Sequence, residues 1–108
     1  MKKFLFLLAF VFSPITFASE PPLQGGAEGK IRSIVVKETG NIIIGFHENH
    51  ANPGGCDRSN AVLIYDYHKP KKEMLTVSLV AYALQSPVNF WVIGCEGDVP
   101  IARTISAN

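Results

Sequence analysis

Two hydrophobic periods alternate along the chain from residue 30 onward. Residues 30–38 (KIRSIVVKE) are dense in β-branched side chains at period two. Ile31, Ser33, Val35 and Lys37 fall on one side of a predicted strand, and Arg32, Ile34, Val36 and Glu38 on the other. Thr39, Gly40 and Asn41 follow as a tight turn, in which glycine and asparagine both tolerate positive φ. Residues 41–48 (NIIIGFHE) return as a second strand, so a β-hairpin is predicted. Gly45 within the return strand predicts a bulge or sharp bend. Residues 47–60 (HENHANPGGCDRSN) are polar and contain Asn-Pro-Gly-Gly, a run that sustains neither helix nor strand. Residues 61–67 (AVLIYDY) form a third predicted strand, with Val62, Ile64 and Asp66 opposite Leu63, Tyr65 and Tyr67.

The period then changes. Residues 71–85 read as a helix, with Pro70 suited to a first turn where its missing N–H is not needed. Ser86-Pro87 ends it, because the residue before a proline is pushed out of the α region. Residues 88–94 return to period two, with Phe90 and Val92 on one side and Trp91 and Ile93 on the other. A turn at 96–99 leads to a short fifth strand, 100–106, in which Pro100 stands first and costs no ladder bond. The predicted order is β-β-β-α-β-β, mainly β with one helix, an α+β composition. A helix between strands three and four is the order of a five-stranded OB-fold-like Greek-key barrel. A helix packed on an open antiparallel sheet is the alternative, and the Gly45 bend and small size favour the barrel.

On a helical wheel, Leu75, Leu79, Tyr82 and Ala83 make one apolar stripe, sufficient to cover the end of a small barrel. Val77, Val80, Ala81 and Leu84 fall outside it. Lys71, Ser78 and Gln85 form the only clearly polar strip. One barrel cannot cover a helix all round, so a helix apolar on nearly every side needs further cover. Two sources are open: another subunit or exported protein meeting Val77, Val80, Ala81 and Leu84, or loops such as 47–60.

The N-terminus changes the compartment. Lys2 and Lys3 precede a nine-residue apolar run, 4–12, too short to span a bilayer as a mature helix. Ser13-Pro14 breaks that run, and Thr16-Phe17-Ala18 offers small residues for signal cleavage. Residues 1–18 are therefore expected to be a signal peptide, with a short N-terminal anchor as the alternative. Ser19 in place of cysteine argues against lipoprotein processing. Residues 19–29 (SEPPLQGGAEG) read as a flexible leader, and 30–108 as a single domain. The protein is expected in the periplasm or outside a bacterial cell, with no membrane insertion after cleavage.

Loss of Lys2 and Lys3 moves the formal charge from +1 to −1. That balance argues against a nucleic-acid partner, which needs clustered Lys and Arg. Cys56 and Cys95 are the two cysteines of an exported chain, and a disulfide is the default reading. Two free thiols or half of a metal site is the alternative.

Candidate chemistry is sparse. His47, His50 and His68 with Asp57 raise a metal only to be set aside, since a Gly/Pro-containing loop fixes no ligand geometry; they read as solvated histidines, and no metal or other cofactor is expected. Ser59, Ser78 and Ser86 lack any nucleophile motif, so no enzyme is expected. Tyr65, Tyr67, Phe90 and Trp91 put aromatics on two strands, where such residues serve as core, as subunit contact, or as a stacking face for bases or sugars. A sugar site needs an aromatic plane with amides and hydroxyls nearby, a role open to Asn60, Asn89 and Asp66. The candidate ligand-binding residues are Tyr65, Asp66, Tyr67 and Trp91, although solvent is the simpler destination for Asp66.

The run KEMLTVSLVAYALQSPVNFWVIGC, followed by PIARTIS, resembles the C-terminal half of the small exported binding (B) subunits of subtilase-cytotoxin and pertussis-like bacterial toxins. There too a helix after strand three runs through a turn into a strand of alternating hydrophobics. The resemblance covers about residues 61–106 and implies an OB-fold subunit. Such subunits commonly form rings of five with helices around the pore and bind sialylated or other cell-surface glycans. The leader lacks the serine- and tyrosine-rich segment that helps form the toxin subunits' sugar pocket, so no glycan-binding residue is carried over. A solitary periplasmic interaction or structural protein is the competing expectation.

Overall fold

A computed structural model describes residues 24–107. The expected signal peptide, 1–18, and the first part of the leader lie outside the described residues. Strands β1 (Gln24–Val36), β2 (Ile42–Phe46) and β3 (Ala61–Ile64) precede the helix α1 (Lys71–Leu84), which is followed by β4 (Pro87–Glu96) and β5 (Val99–Ala107). The fold is mostly β with a single helix. Its five strands close into a barrel in the order β1-β2-β3-β5-β4.

β1 is long enough to serve two partners. Residues 24–30 pair antiparallel with β4, and residues 31–36 pair antiparallel with β2. β3 meets β5 in parallel at Leu63 and Ile101. The early pairing corrects the expectation of a flexible leader up to residue 29. Gly25, Gly26 and Gly29 disfavour a strand by composition, yet each faces a β4 partner whose ladder bonds decide the conformation.

Strict alternation also fails in β1. The register shifts between Ile31 and Ser33, opposite Gly45 and Phe46. This bulge lies in β1 rather than at Gly45, and it lets Ile31 and Ile34 both pack on the core although they stand three apart. Val35 and Val36 are left 51% and 61% exposed. Gly45 is needed for closeness: a Cβ there would stand 2.6 Å from Ser33 Oγ. At the hairpin tip, the Gly40 N–H donates to Lys37 O (2.8 Å), and Gly40 takes φ +94°. Asn41 keeps negative φ and uses its side chain instead, accepting from the Asp66 N–H at 2.8 Å.

The core is built from Ile31, Ile42, Ile44, Phe46, Val62, Ile64, Val88, Phe90 and Val92, closed by Met74 and Ala81 of α1. Burying one such large side chain contributes about 1.5–3 kcal/mol. Phe46 and Phe90 stack at 4.7 Å, and His50 meets both rings edge-on at 5.4 and 5.0 Å. β3 ends at Ile64 rather than at Tyr67. It is buried on both faces, since Ala61 and Leu63 form a second cluster with Val99.

The helix sits rotated from the wheel. Its buried residues are Met74, Ser78 and Ala81; of the predicted stripe only Leu75 packs on the core, and Leu79, Tyr82 and Ala83 are exposed. Lys71 donates to Gly40 O (3.3 Å) and to Asp66 Oδ1 (2.6 Å), and Gln85 Nε2 donates to Ile31 O (3.2 Å). The polar strip Lys71, Ser78, Gln85 therefore ties the helix to the barrel. Small residues at 78 and 81 allow close approach, and Ser78 satisfies its hydroxyl on Met74 O at 2.7 Å. At the C-terminus the Gln85 and Ser86 N–H groups return to Tyr82 O and Ala81 O, a Schellman arrangement with Gln85 left-handed at φ 53°. Pro87 then opens β4.

Candidate functional site

β4 carries Val88, Phe90 and Val92 inward and Asn89, Trp91 and Ile93 outward, as its alternation dictates. The ladder sets Trp91 between Gly26 of β1 and Thr104 of β5. Gly26 matters here through what it lacks. A Cβ at that position would touch the six-membered ring of Trp91 at 3.7 Å, so any larger side chain would cover it. The indole is 43% exposed, and its Nε1–H donates to Gln24 Oε1 at 3.0 Å, which fixes the ring on the barrel surface.

Two open hollows flank this ring. One, about 460 Å³, is lined by Gly26, Glu28, Asn89, Trp91, Thr104 and Ser106. The other, about 530 Å³, is lined by Gln24, Trp91, Ile93, Arg103 and Thr104. A third, about 690 Å³, continues past Ile93 and Arg103 to Tyr65, Tyr67, His68 and Pro70. The arrangement is an apolar plane bordered by amides and hydroxyls on a rigid sheet. It can stack a ligand ring and hydrogen-bond its substituents; it holds no nucleophile paired with a base.

The other sequence candidates separate. Tyr65 and Tyr67 stack at 4.8 Å with their planes 16° apart, leaving Tyr67 80% exposed. The Tyr65 hydroxyl donates to Glu96 Oε1. That hydrogen bond, with burial and the Glu96 charge behind it, pushes the Tyr65 phenol up to about 12. A raised phenol contributes stability that is complete below its ordinary value of about 10 and is lost as pH rises through 12. The ultraviolet difference between wild type and Tyr65→Phe is accordingly expected to show one phenolate forming with a midpoint near 12; a midpoint near 10 would show that the Glu96 bond is not maintained in solution.

Asp66 does not join this surface. Its carboxylate is salt-bridged to Lys71 at 2.6 Å and anchors the start of α1. Asn60 is likewise elsewhere, with its carbonyl accepting from the Phe46 N–H, whereas Asn89 does border the Trp91 ring. Sequence reasoning missed Gln24, Gly26, Arg103, Thr104 and Ser106. Polar alternation of Gln24 and Glu28 was a usable signal; the β4–β5 register that brings Thr104 beside Trp91 was not readable.

The partner-contact candidates also divide. Ala81 is 1% exposed and belongs to the core, so it is unavailable to a partner. Val77 is half-buried in a crevice beside Arg103 and Ile105. Val80 and Leu84 are 53% and 69% exposed, and Leu79 and Tyr82 join them. Loop 47–60 does not cover this face. It packs His50 against Phe46 and Phe90, with Pro53 reaching Gly25 and Gly54 lying close to Gly94.

The histidines part company. His47 bonds Gln85, His50 is buried between two carbonyls (Ala51 O at 2.8 Å, Ala61 O at 3.1 Å), and His68 bonds Arg103 O. His50 is thus a packing residue, not a solvated loop histidine. Among the described residues, no three His, Cys, Asp or Glu side chains converge as a metal set. Cys56 and Cys95 are joined in a disulfide with Cα atoms 5.7 Å apart. Among the described residues no helix is long and apolar enough to cross a membrane. No family model matches this chain, and no curated protein matches it.

Proposed function

We propose that this protein is an exported, non-enzymatic binding protein of OB type whose outer sheet face, centred on Trp91, binds saccharide. The observation that carries the reading is the exposed indole ring laid beside Gly26 and bordered by Gln24, Asn89, Thr104 and Ser106. A pyranose presents C–H groups to an aromatic plane and hydroxyls to its rim, and this surface offers both complements. The strand order β1-β2-β3-β5-β4 with the helix between β3 and β4 supports the OB assignment, and the disulfide accords with export. A glycan array or saturation-transfer measurement on the mature protein tests the reading. Trp91→Ala is expected to remove binding about tenfold or more while leaving the fold intact, because the side chain lies outside the core. Silence across neutral, sialylated and other acidic glycans would sink the reading.

The same proposal includes self-association through α1, as a ring or smaller homo-oligomer. Leu79, Val80, Tyr82 and Leu84 together expose a continuous helical apolar face, which supports a subunit contact. Sedimentation equilibrium at micromolar protein is expected to show an oligomer, and Val80→Asp with Leu84→Asp a monomer. A monomeric wild type would favour the second reading, a solitary periplasmic protein that docks a different protein on this helix.

A further inference from the structure

We infer that the outer face takes an internal stretch of a linear acidic polysaccharide, running from Trp91 across Arg103 to Tyr67. This rests on the saccharide reading of Trp91 and specifies its ligand. The three hollows form one trough, because the first two share Trp91 and Thr104 and the last two share Ile93 and Arg103. The step along β4 from Asn89 to Ile93 alone measures about 13 Å at the rise of a strand. The trough then continues to the tyrosines. One sugar ring cannot reach both aromatic platforms, whereas a chain can.

The two platforms are of matched kind. Trp91 is fixed by its bond to Gln24, and Tyr67 is backed by Tyr65, which is itself held by Glu96. Holding each ring in place before the ligand arrives reduces the ordering cost of binding. All three hollows open to solvent, which suits an internal stretch of chain rather than a terminal unit held in a closed pocket.

The charge pattern selects the chain. Arg103 borders both hollows between the platforms, and among the described residues the only salt bridge is Lys71–Asp66, so its guanidinium has no carboxylate partner. Lys69 lines the same end. Of the acids around the trough, Asp66 is paired with Lys71, Glu96 accepts from Tyr65, Glu73 lies in the crevice on the α1 side of Arg103, and Glu28 stands at the opposite end beside Asn89. A carboxylate on the unit above Arg103 would find a two-pronged donor there.

Calorimetric titration of the mature protein with galacturonate and its oligomers, beside neutral gluco-oligosaccharides of equal length, tests this. Affinity is expected to rise about tenfold or more from the monosaccharide to the hexasaccharide. Tyr67→Ala is expected to erase that gain, so that the hexasaccharide binds no more tightly than the monosaccharide. Arg103→Gln is expected to erase the preference for the acidic series and its salt dependence. The side chains of Tyr67 and Arg103 are exposed, so an unchanged unfolding midpoint serves as the fold control. Binding that needs Trp91 but is independent of length, or equal for acidic and neutral chains, overturns this inference and leaves the saccharide reading standing. No binding of any sugar overturns both.

Discussion

Phe46→Ala is expected to destabilise the domain by about 3–5 kcal/mol, the range for emptying a buried aromatic site. Phe46 is fully buried at the point where three parts of the chain meet. It stacks on Phe90 of β4, receives the edge of His50 from the long loop, and approaches Gly29 so closely that a Cβ there would stand 3.0 Å from the ring. Neighbours fixed in two strands and a loop cannot collapse into the void, which places the cost toward the upper end. A domain of this length has about 4–13 kcal/mol of stability in total. Urea unfolding is expected to show a much lower midpoint with little change in slope. A loss below about 1 kcal/mol would mean that the Phe46–Phe90–His50 cluster is not a centre of the core.

Opening the Cys56–Cys95 bridge is the second large effect. It closes a sequence separation of 39, and a loop of that size is worth about 4 kcal/mol in the chain-entropy account. Cys56→Ala with Cys95→Ala is expected to lose that amount in denaturant unfolding, and the wild type to converge on the double variant under reductant. Other bonds hold the same loop. Asn52 accepts from the Cys56 N–H (3.1 Å) and donates to Cys56 O (2.6 Å), and the Arg58 N–H reaches Asp98 O at 2.8 Å. Should the variant lose less than about 1 kcal/mol, those bonds would be sufficient to fix the loop without the bridge.

The barrel was largely legible where side chains declare a period. The alternation of residues 88–94 put Phe90 and Val92 on one side and Trp91 and Ile93 on the other, which is the division the strand shows, but period alone does not say which side faces the core. The paired cysteines and the hairpin around Gly40 were equally plain. Residues 24–29 were misread because glycine lowers strand propensity, and nothing local reveals that β4 supplies the partner. The helix was misread for a different reason. A wheel weighs apolar character, whereas packing against a barrel also weighs size. Ser78 and Ala81 go inward because they are small, and the larger Leu79, Val80 and Leu84 are left outside. Of the candidate site, Trp91, Tyr65, Tyr67 and Asn89 were legible as aromatics and an amide near the strands, whereas Gln24, Gly26, Arg103, Thr104 and Ser106 depend on register across strands, which no single stretch encodes.

The double duty of β1 has a kinetic side. Its pairing of Gln24 with Ile93 joins opposite ends of the described chain, and the parallel contact of Leu63 with Ile101 also awaits the last strand. The β1–β2 and β4–β5 hairpins can form early, each from residues close in sequence, but neither closes the barrel. Contacts so distant in sequence make barrel closure a slow, late step. A chain that crosses a membrane N-terminus first would therefore be unable to close its barrel until β4 and β5 had followed, and only then would Gln24, Trp91 and Thr104 come together.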